Sequence, residues 1–396
     1  MTNAAFIRLS NLCPPVMSQP SPPPTPSLPW RITSSAIMGL TGAASRGFLH
    51  GLNTVEVSGL SRFVQLLESR QDPEKRQRGL LTVSNHVSVL DDPMIWGVLP
   101  LSNAFNPSNL RWTLGAHDIC FKNSFLSTFF NLGQVLPTHR AKHSPFGGPF
   151  QPAMTQAIRL LSTQPFSSPS LPPPSDTQVP DPFTCGALTY TTNGEDVVPS
   201  PSVYTRHRHS WVHVFPEGLV HQHPASDLRY FKWGVARLIL EAEPAPDVLP
   251  MFIDGIQCIM PENRTFPRFS PRVGKRVRVA FGEVLDYEAT FGDLRRRWQA
   301  LVLRTRAQRE RATGTREIAM LGELADEALR YGSEAEAIRI EVARRMRDEV
   351  LKVRKAMGGF SDPDPKLGDA LTWAADGRVK EKKYKSRVDG SDINQD

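Results

Sequence analysis

Proline fixes φ near about −65° and has no backbone N–H, so clusters of it mark where a chain builds neither helix interior nor central strand. Of the 35 prolines in this 396-residue sequence, eight fall within residues 1–30 and nine within residues 162–201. Both stretches also lack regular apolar patterning, and they are set aside as core. The expected organisation follows from their positions. A proline-rich leader covers residues 1–31, and a globular domain covers 32–290, interrupted by a disordered insert over 162–210. A basic helical extension then runs over 291–357, and a flexible basic tail over 358–396.

Several classes are excluded at once. Four cysteines, Cys13, Cys120, Cys185 and Cys258, are widely spaced with no CxxC, which argues against a disulfide framework or a zinc ribbon. No Walker A loop, GxGxxG, HExxH or GxSxG occurs, so neither a cofactor signature nor a serine nucleophile elbow is present. His207, His209, His213, His221 and His223 match no ligand spacing, and no metal is expected. Residues Ile32 to Ser45 are uncharged for 14 positions, whereas a spanning helix needs about 20 apolar residues. Residues 32–52 are therefore expected to lie in a membrane interface without crossing it. No acidic residue precedes Glu56, while Arg8, Arg31 and Arg46 do. That composition suits a mitochondrial transit segment as well as a plain disordered leader.

Apolar spacing sets the order of elements. Leu60, Phe63, Val64 and Leu67 recur at helical intervals and predict an amphipathic helix over 59–70. Residues 79–84 read as a buried strand ending at Asn85-His86, and Asp92-Pro93 as a helix start with Asp92 as N-cap. A helix and then a strand are expected across 111–140, a helix over 148–161 and a strand over 211–215. A helix over 229–242, a strand over 248–253 and an alternating edge strand over 276–281 follow. This alternation predicts an α/β domain with a mixed or largely parallel sheet, its ligand site just beyond strand ends. Residues 293–357 pattern as arginine-rich helix, with Leu294, Trp298, Leu301 and Val302 on one face. The basic face reads either as solvated or as resting on anionic lipid.

The sharpest chemistry lies in Asn85-His86-x₄-Asp91. On one continuous helix, residues five apart sit roughly 140° round the axis from each other. With His86 at a strand end and Asp91 at a helix start, a turn can bring the carboxylate to the imidazole. The other ring nitrogen is then free to act as a base. Taken alone, such a pair is more often a loop histidine beside a capping aspartate. Three further elements bear on it: Arg140 after a short apolar strand, Phe215-Pro216-Glu217-Gly218 after another, and the apolar run Val248 to Gly255. Their plain readings are a surface arginine, an exposed turn and core.

In this order the four elements resemble the glycerolipid acyltransferase family. Longer blocks resemble its phospholipid–lysophospholipid transacylase branch in a fungal-type form. They are Thr82 to Gly97, Arg111-Trp112-Thr113, Asp118 to Phe121, Trp211 to Gly218, Phe231 to Gly234 and Phe266 to Phe269. Val87 stands where that branch often has glutamine, and residues 142–210 and the C-terminal extension are without an interpretable counterpart. The resemblance implies a glycerol-phosphate-acyltransferase-like mixed sheet flanked by helices, with a helical C-terminal extension. It implies acyl exchange between phospholipids in cardiolipin remodelling, with neither acyl-CoA nor a cofactor. The alternatives are an acyl-CoA-dependent acyltransferase on the same residues and a catalytically inactive membrane-bound protein. His86 would be the base and Asp91 its partner. Arg140 would hold phosphate, Glu217 would meet glycerol hydroxyls or position Arg140, and Asn85, Phe215, Pro216 and Gly218 would complete the substrate site. The implied partners are phospholipid, lysophospholipid and an anionic membrane surface, which also accounts for the +7 net charge better than nucleic acid does. The implied location is monotopic, on mitochondrial membranes facing the intermembrane space.

Overall fold

The computed structural model describes residues 25–163, 189–314, 320–370, 384–385 and 392–393. Seven strands form one sheet: β1 (Thr54–Ser58), β2 (Leu80–Val83), β3 (Arg111–Ala116), β4 (Val135–Thr138), β5 (Trp211–Val214), β6 (Asp247–Asp254) and β7 (Arg276–Phe281). Their order is β1-β7-β6-β2-β5-β3-β4. Every neighbouring pair is parallel except β6 with β7. The fold is therefore α/β, with a mixed and mostly parallel sheet between helices.

The helices that matter for the site are α1 (Leu28–Leu52), α2 (Leu60–Ser69), α3 (Asp91–Trp96) and α4 (Ser124–Leu132). They are followed by α5 (Pro152–Leu161), α6 (Gly234–Glu241), α7 (Tyr287–Thr313) and α8 (Ser333–Met357). Strand β6 shows how the sheet is sandwiched. Val248 and Phe252 pack into the layer built by α5–α8, while Leu249, Met251 and Ile253 pack into the layer with α1–α3. That is the period of two expected of a strand buried on both faces.

The C-terminal helices are part of the core. Phe291, Leu294, Trp298 and Leu301 of α7 and Ile338, Val342, Met346 and Val350 of α8 are buried with Val248 and Phe252 in one cluster. At about 1.5–3 kcal/mol per buried apolar side chain, this layer is no detachable appendage.

The structure departs from the sequence expectations in several places. Strand β7 is not an edge, because β1 pairs outside it, and β1 and β4 are the true edges. Residues 111–116 are strand rather than helix, and helix α6 begins at Gly234, not at Arg229. Asp92 is not an N-cap. The helix begins at Asp91, and the Asp92 carboxylate instead accepts from Arg111 Nε at 3.0 Å and Trp96 Nε1 at 3.1 Å. The insert was expected to be disordered to residue 210, yet 189–210 is ordered. Ser200 and Ser202 donate to Gln156 Oε1, and Val198 and Val203 are buried. The tail was expected to be flexible from residue 358, yet Phe360 packs against Phe252. Residues 1–24 and 164–188 of the leader and insert lie outside the described residues.

Candidate active site

The site sits beyond the C-terminal ends of β2, β5 and β6. Strand β2 ends at Val83, and residues 84–88 continue without helix, turn or bend to a turn at Val89-Leu90. Asn85 ties this segment to β6: its Nδ2 donates to the Ile253 carbonyl and its Oδ1 accepts from the Ile253 amide, both at 2.8 Å. Its amide thus extends the β2–β6 pairing by one rung, and at 1% exposure the side chain is closed off from substrate. That corrects the expectation of Asn85 as a substrate ligand.

One residue on, His86 faces Asp91, with Nδ1 and Asp91 Oδ2 2.9 Å apart. The same oxygen accepts from the Val87 amide at 2.6 Å and the Ser88 amide at 2.8 Å. Asp91 is completely buried, while the His86 side chain keeps 22% exposure. Burial raises the Asp91 pKa above the usual carboxylate value, and its bonds to His86, Ser88 and Val87 oppose that rise. A carboxylate accepts only, so Nδ1 carries the proton and Nε2 presents a lone pair. The His86 ring stacks on Phe215, centroids 4.4 Å apart.

Glu217 lies beneath this pair. It is buried, with Oε1 accepting from the His86 amide at 2.9 Å and Oε2 from the Arg229 amide at 3.0 Å. Burial pushes its pKa up to about 7, against those two bonds and the nearby charges of His86 and Arg229. Both oxygens are occupied by backbone. This corrects the expectation that Glu217 meets glycerol hydroxyls or Arg140: it props the chain segment that carries His86. The turn Phe215 to Gly218 closes through the Gly218 amide to the Phe215 carbonyl at 3.0 Å, and the Pro216 carbonyl accepts from the Lys232 amide at 2.8 Å. Gly218 has φ +67°, a backbone conformation that favours glycine.

Arg140 is not part of the His86 cluster. It follows β4 and pairs in fork fashion with Asp118 at the end of β3, with Nε to Oδ1 at 3.1 Å. It does share a cationic rim with residues that sequence reasoning missed. Lys232 Nζ reaches the Gly218 carbonyl at 3.4 Å. Its pKa is lowered to about 8, first by desolvation and then by the charges of Arg229, Lys142 and Arg140. More than one cation therefore lies beside the FPEG turn.

Two other clusters were not legible in sequence. His213, wholly buried beneath the segment that carries His86, meets Thr82 Oγ1 at 2.8 Å and Ser84 Oγ at 3.3 Å, and burial lowers its pKa to about 3. Among the described residues, His117, His139 and Asp196 bring metal-type ligand atoms within 4.8 Å of one another. Their two imidazoles are stacked at 4.3 Å and 21°, so the in-plane lone pairs do not converge on one point. Thr192 Oγ1, 2.8 Å from His139 Nε2, also bonds Asp196. Burial pushes the Cys120 thiol up to about 12, which removes it as a nucleophile.

A His–Asp pair past the end of a buried strand, backed by an FPEG turn on a mostly parallel sheet, marks the chain as an acyltransferase. The Acyltransferase family model matches residues 55–254, a span containing every residue of this site. The chain is 35% identical to tafazzin of Saccharomyces cerevisiae, over 87% of this chain and 83% of that protein. It is 32% identical to tafazzin of Drosophila melanogaster, over 69% of this chain and 56% of that protein. N-acylphosphatidylethanolamine synthase of Arabidopsis thaliana is 28% identical over 65% and 72%. The chain belongs to the tafazzin family of acyltransferases. The yeast match leaves about 51 residues outside it, fewer than residues 291–357 contain, so the helical extension has at least a partial counterpart there. The crystal structure of the 1-acyl-sn-glycerophosphate acyltransferase of Thermotoga maritima aligns at a TM-score of 0.37 and 13% identity, over 83% of this chain and 81% of that one.

Proposed function

We propose that this acyltransferase is a phospholipid–lysophospholipid transacylase that remodels cardiolipin acyl chains without acyl-CoA. The observation that carries the chemistry is the 2.9 Å contact of His86 Nδ1 with a fully buried Asp91. It leaves Nε2 as the free basic nitrogen on a ring open to substrate.

Nε2 takes the proton from the lysophospholipid hydroxyl as that oxygen bonds to the ester carbonyl carbon of a donor phospholipid. The tetrahedral intermediate collapses by breaking the bond to the donor's glycerol oxygen. That oxygen recovers the proton from His86 and leaves as a new lysophospholipid. One ester replaces another, so no activated thioester is needed and no acyl-enzyme forms. Asp91 stabilises the transient imidazolium, and such a base contributes about 10²–10⁴-fold. The rim of Arg140, Lys142, Arg229 and Lys232 suits the phosphates of two lipids, with Arg140 offering paired donors.

Substrates of this kind call for contact with a bilayer. Among the described residues no helix is long and apolar enough to cross one. Helix α1 instead buries Ser34, Gly39, Gly42 and Ser45 against the protein and turns Ile32 and Leu40 outward. Its Ser34 hydroxyl donates to the Leu132 carbonyl of α4, and Phe125 of α4 is 77% exposed. With Leu49 anchoring its end in the core, a helix that keeps apolar residues on its outward face has a surface suited to lie against lipid. Monotopic attachment to mitochondrial membranes, facing the intermembrane space, agrees with this surface and with the acid-poor leader.

The test uses purified protein with vesicles containing monolysocardiolipin and phosphatidylcholine labelled in one acyl chain, CoA rigorously absent. Label should move to cardiolipin. Transfer that starts only when acyl-CoA is supplied would show the acyl-CoA-dependent enzyme instead.

A further inference from the structure

Between the FPEG turn and α6 the chain runs from Phe215 to Trp233 without helix or strand. Its carbonyls at Ala225, Ser226, Leu228 and Arg229 have no strand to pair with, and buried carbonyls require donors. Two arginines of α8 supply them. Arg347 donates from Nε to the Arg229 carbonyl at 2.9 Å and from Nη2 to the Leu228 carbonyl at 2.8 Å. Arg354 donates from Nε to Ser226 at 3.1 Å and from Nη2 to Ala225 at 2.8 Å, and it pairs with Asp227 at 2.9 Å. Seven residues apart, the two side chains leave one face of α8. Both are buried.

The segment they hold ends at a catalytic contact. The Arg229 amide is one of the two backbone donors to Glu217, the other being the His86 amide. The His221 amide, from the same stretch, donates to the His86 carbonyl at 2.8 Å. We propose that Arg347 and Arg354 are positioning residues for acyl transfer, holding residues 225–229 so that Glu217 fixes the backbone of His86. This rests on the reading of His86 and Glu217 as the reacting centre and its support. It also gives the basic C-terminal extension a role that its charge alone did not reveal: these arginines face inward, toward protein carbonyls. A guanidinium fork spans two consecutive carbonyls, which an ammonium does not.

Charge links the same groups. Burial lowers the Arg347 pKa, and the carboxylates of Asp348, Glu217 and Asp227 oppose that, so Arg347 and Glu217 feel one another. The other charged groups facing Glu217 are His86 and Arg229, with His221 on the same stretch. Glu217 binds both amides best as an anion. Removing the Arg347 charge raises its pKa further and moves the acid limb of the rate profile upward.

The experiment measures transacylation by the full-length protein across the neutral pH range, with thermal unfolding of each variant alongside. Arg347→Gln should lower kcat by roughly 10- to 100-fold, leave KM near the parent value and move the acid limb up by about half a unit or more. Arg347→Lys should restore the limb and not the rate. Arg295→Gln is the comparison: Arg295 also holds backbone carbonyls, at Ile239, Leu240 and Ala242, away from Glu217. It should lower the Tm and leave kcat and the limb unchanged. Equal behaviour of the two Gln variants, or a parental kcat and limb in Arg347→Gln, would overturn the proposal. Should Arg347→Gln fail to fold, Arg354→Lys is read instead, with a lowered kcat expected and a parental one contradicting. Glu217→Gln separates the two layers. If it keeps full activity, the reading of the site falls and the proposal with it. If it loses activity while the arginine variants do not, only the proposal falls.

Discussion

Asp91→Asn is the substitution that most cleanly separates catalysis from folding in this site. Asp91 Oδ2 accepts from His86 Nδ1 and from the Val87 and Ser88 amides at 2.9, 2.6 and 2.8 Å. An asparagine oxygen can occupy that position and keep all three contacts, so the tautomer of His86 is preserved. What disappears is the negative charge beside the imidazolium that forms when Nε2 takes the acceptor's proton. Two unit charges about 4 Å apart interact by about 4 kcal/mol at an effective dielectric of about 20, equivalent to about 10³ in rate. Stability runs the other way. The folded-state pKa of Asp91 is raised by burial, so its ionised form is disfavoured on folding. That contribution is fully favourable below the unfolded value of 3.8 and is lost as pH rises through the folded value. At neutral pH the buried charge therefore costs stability, and asparagine removes that cost, offset by an NH₂ placed where Asp91 Oδ1 has no hydrogen-bond partner. Labelled-chain transfer between phosphatidylcholine and monolysocardiolipin should fall about 10³-fold, with Tm within about 2 °C of the parent, or about 1 kcal/mol. A folded Asp91→Asn enzyme with kcat within tenfold of the parent would refute the electrostatic reasoning.

Other perturbations probe the remaining parts. Arg140→Gln removes a charge-assisted contact worth about 1.5–3 kcal/mol, so KM for the lysophospholipid should rise about tenfold or more with kcat little changed; an unchanged KM would exclude Arg140 from phosphate recognition. Phe125→Ser takes an apolar side chain from the outward face and should weaken vesicle co-sedimentation about tenfold, without loss of activity on detergent-dispersed lipid. Undiminished sedimentation would place the membrane contact elsewhere. Burial lowers the pKa of His207 to about 4 and of His213 to about 3. Both folded values lie below the unfolded 6.5, so the unfolded chain takes up protons first. Stability is complete above pH 6.5 and falls as pH drops toward those folded values. Scanning calorimetry should show Tm declining from about pH 6.5 to 4, and a flat Tm over that window would contradict the neutral buried state.

The strand–turn–helix unit from Leu80 to Trp96 was legible because its signals are local: a buried run, a polar break and a Pro-initiated helix. The His86–Asp91 contact follows from that geometry. Glu217 was harder. Its residue type and strand-end position were visible, but its partners are backbone amides of His86 and Arg229, and no side-chain pattern announces a backbone donor. Asn85 misled for the same reason, since a polar residue beside a catalytic histidine looks like a ligand until its amide is seen on Ile253. Strand β1 was missed although Thr54–Ser58 alternates strictly, because five residues are too short a run to stand out and the strand is held by parallel pairing with β7, distant in sequence. The arginines of α8 read as a solvated basic face because composition does not show which of them meet carbonyls far back in the chain.

The central claim is that His86 acts as the base for direct transfer of an acyl chain from a phospholipid ester to a lysophospholipid hydroxyl. It is tested most directly by CoA-free transfer from chain-labelled phosphatidylcholine, comparing the parent with a folded His86→Ala protein and following intact protein mass. The account predicts one lysophosphatidylcholine released per chain transferred, no mass gain with donor alone, and a loss of about 10²–10⁴-fold in His86→Ala. Full transfer by His86→Ala, or a protein that gains one acyl chain from donor alone, would contradict it.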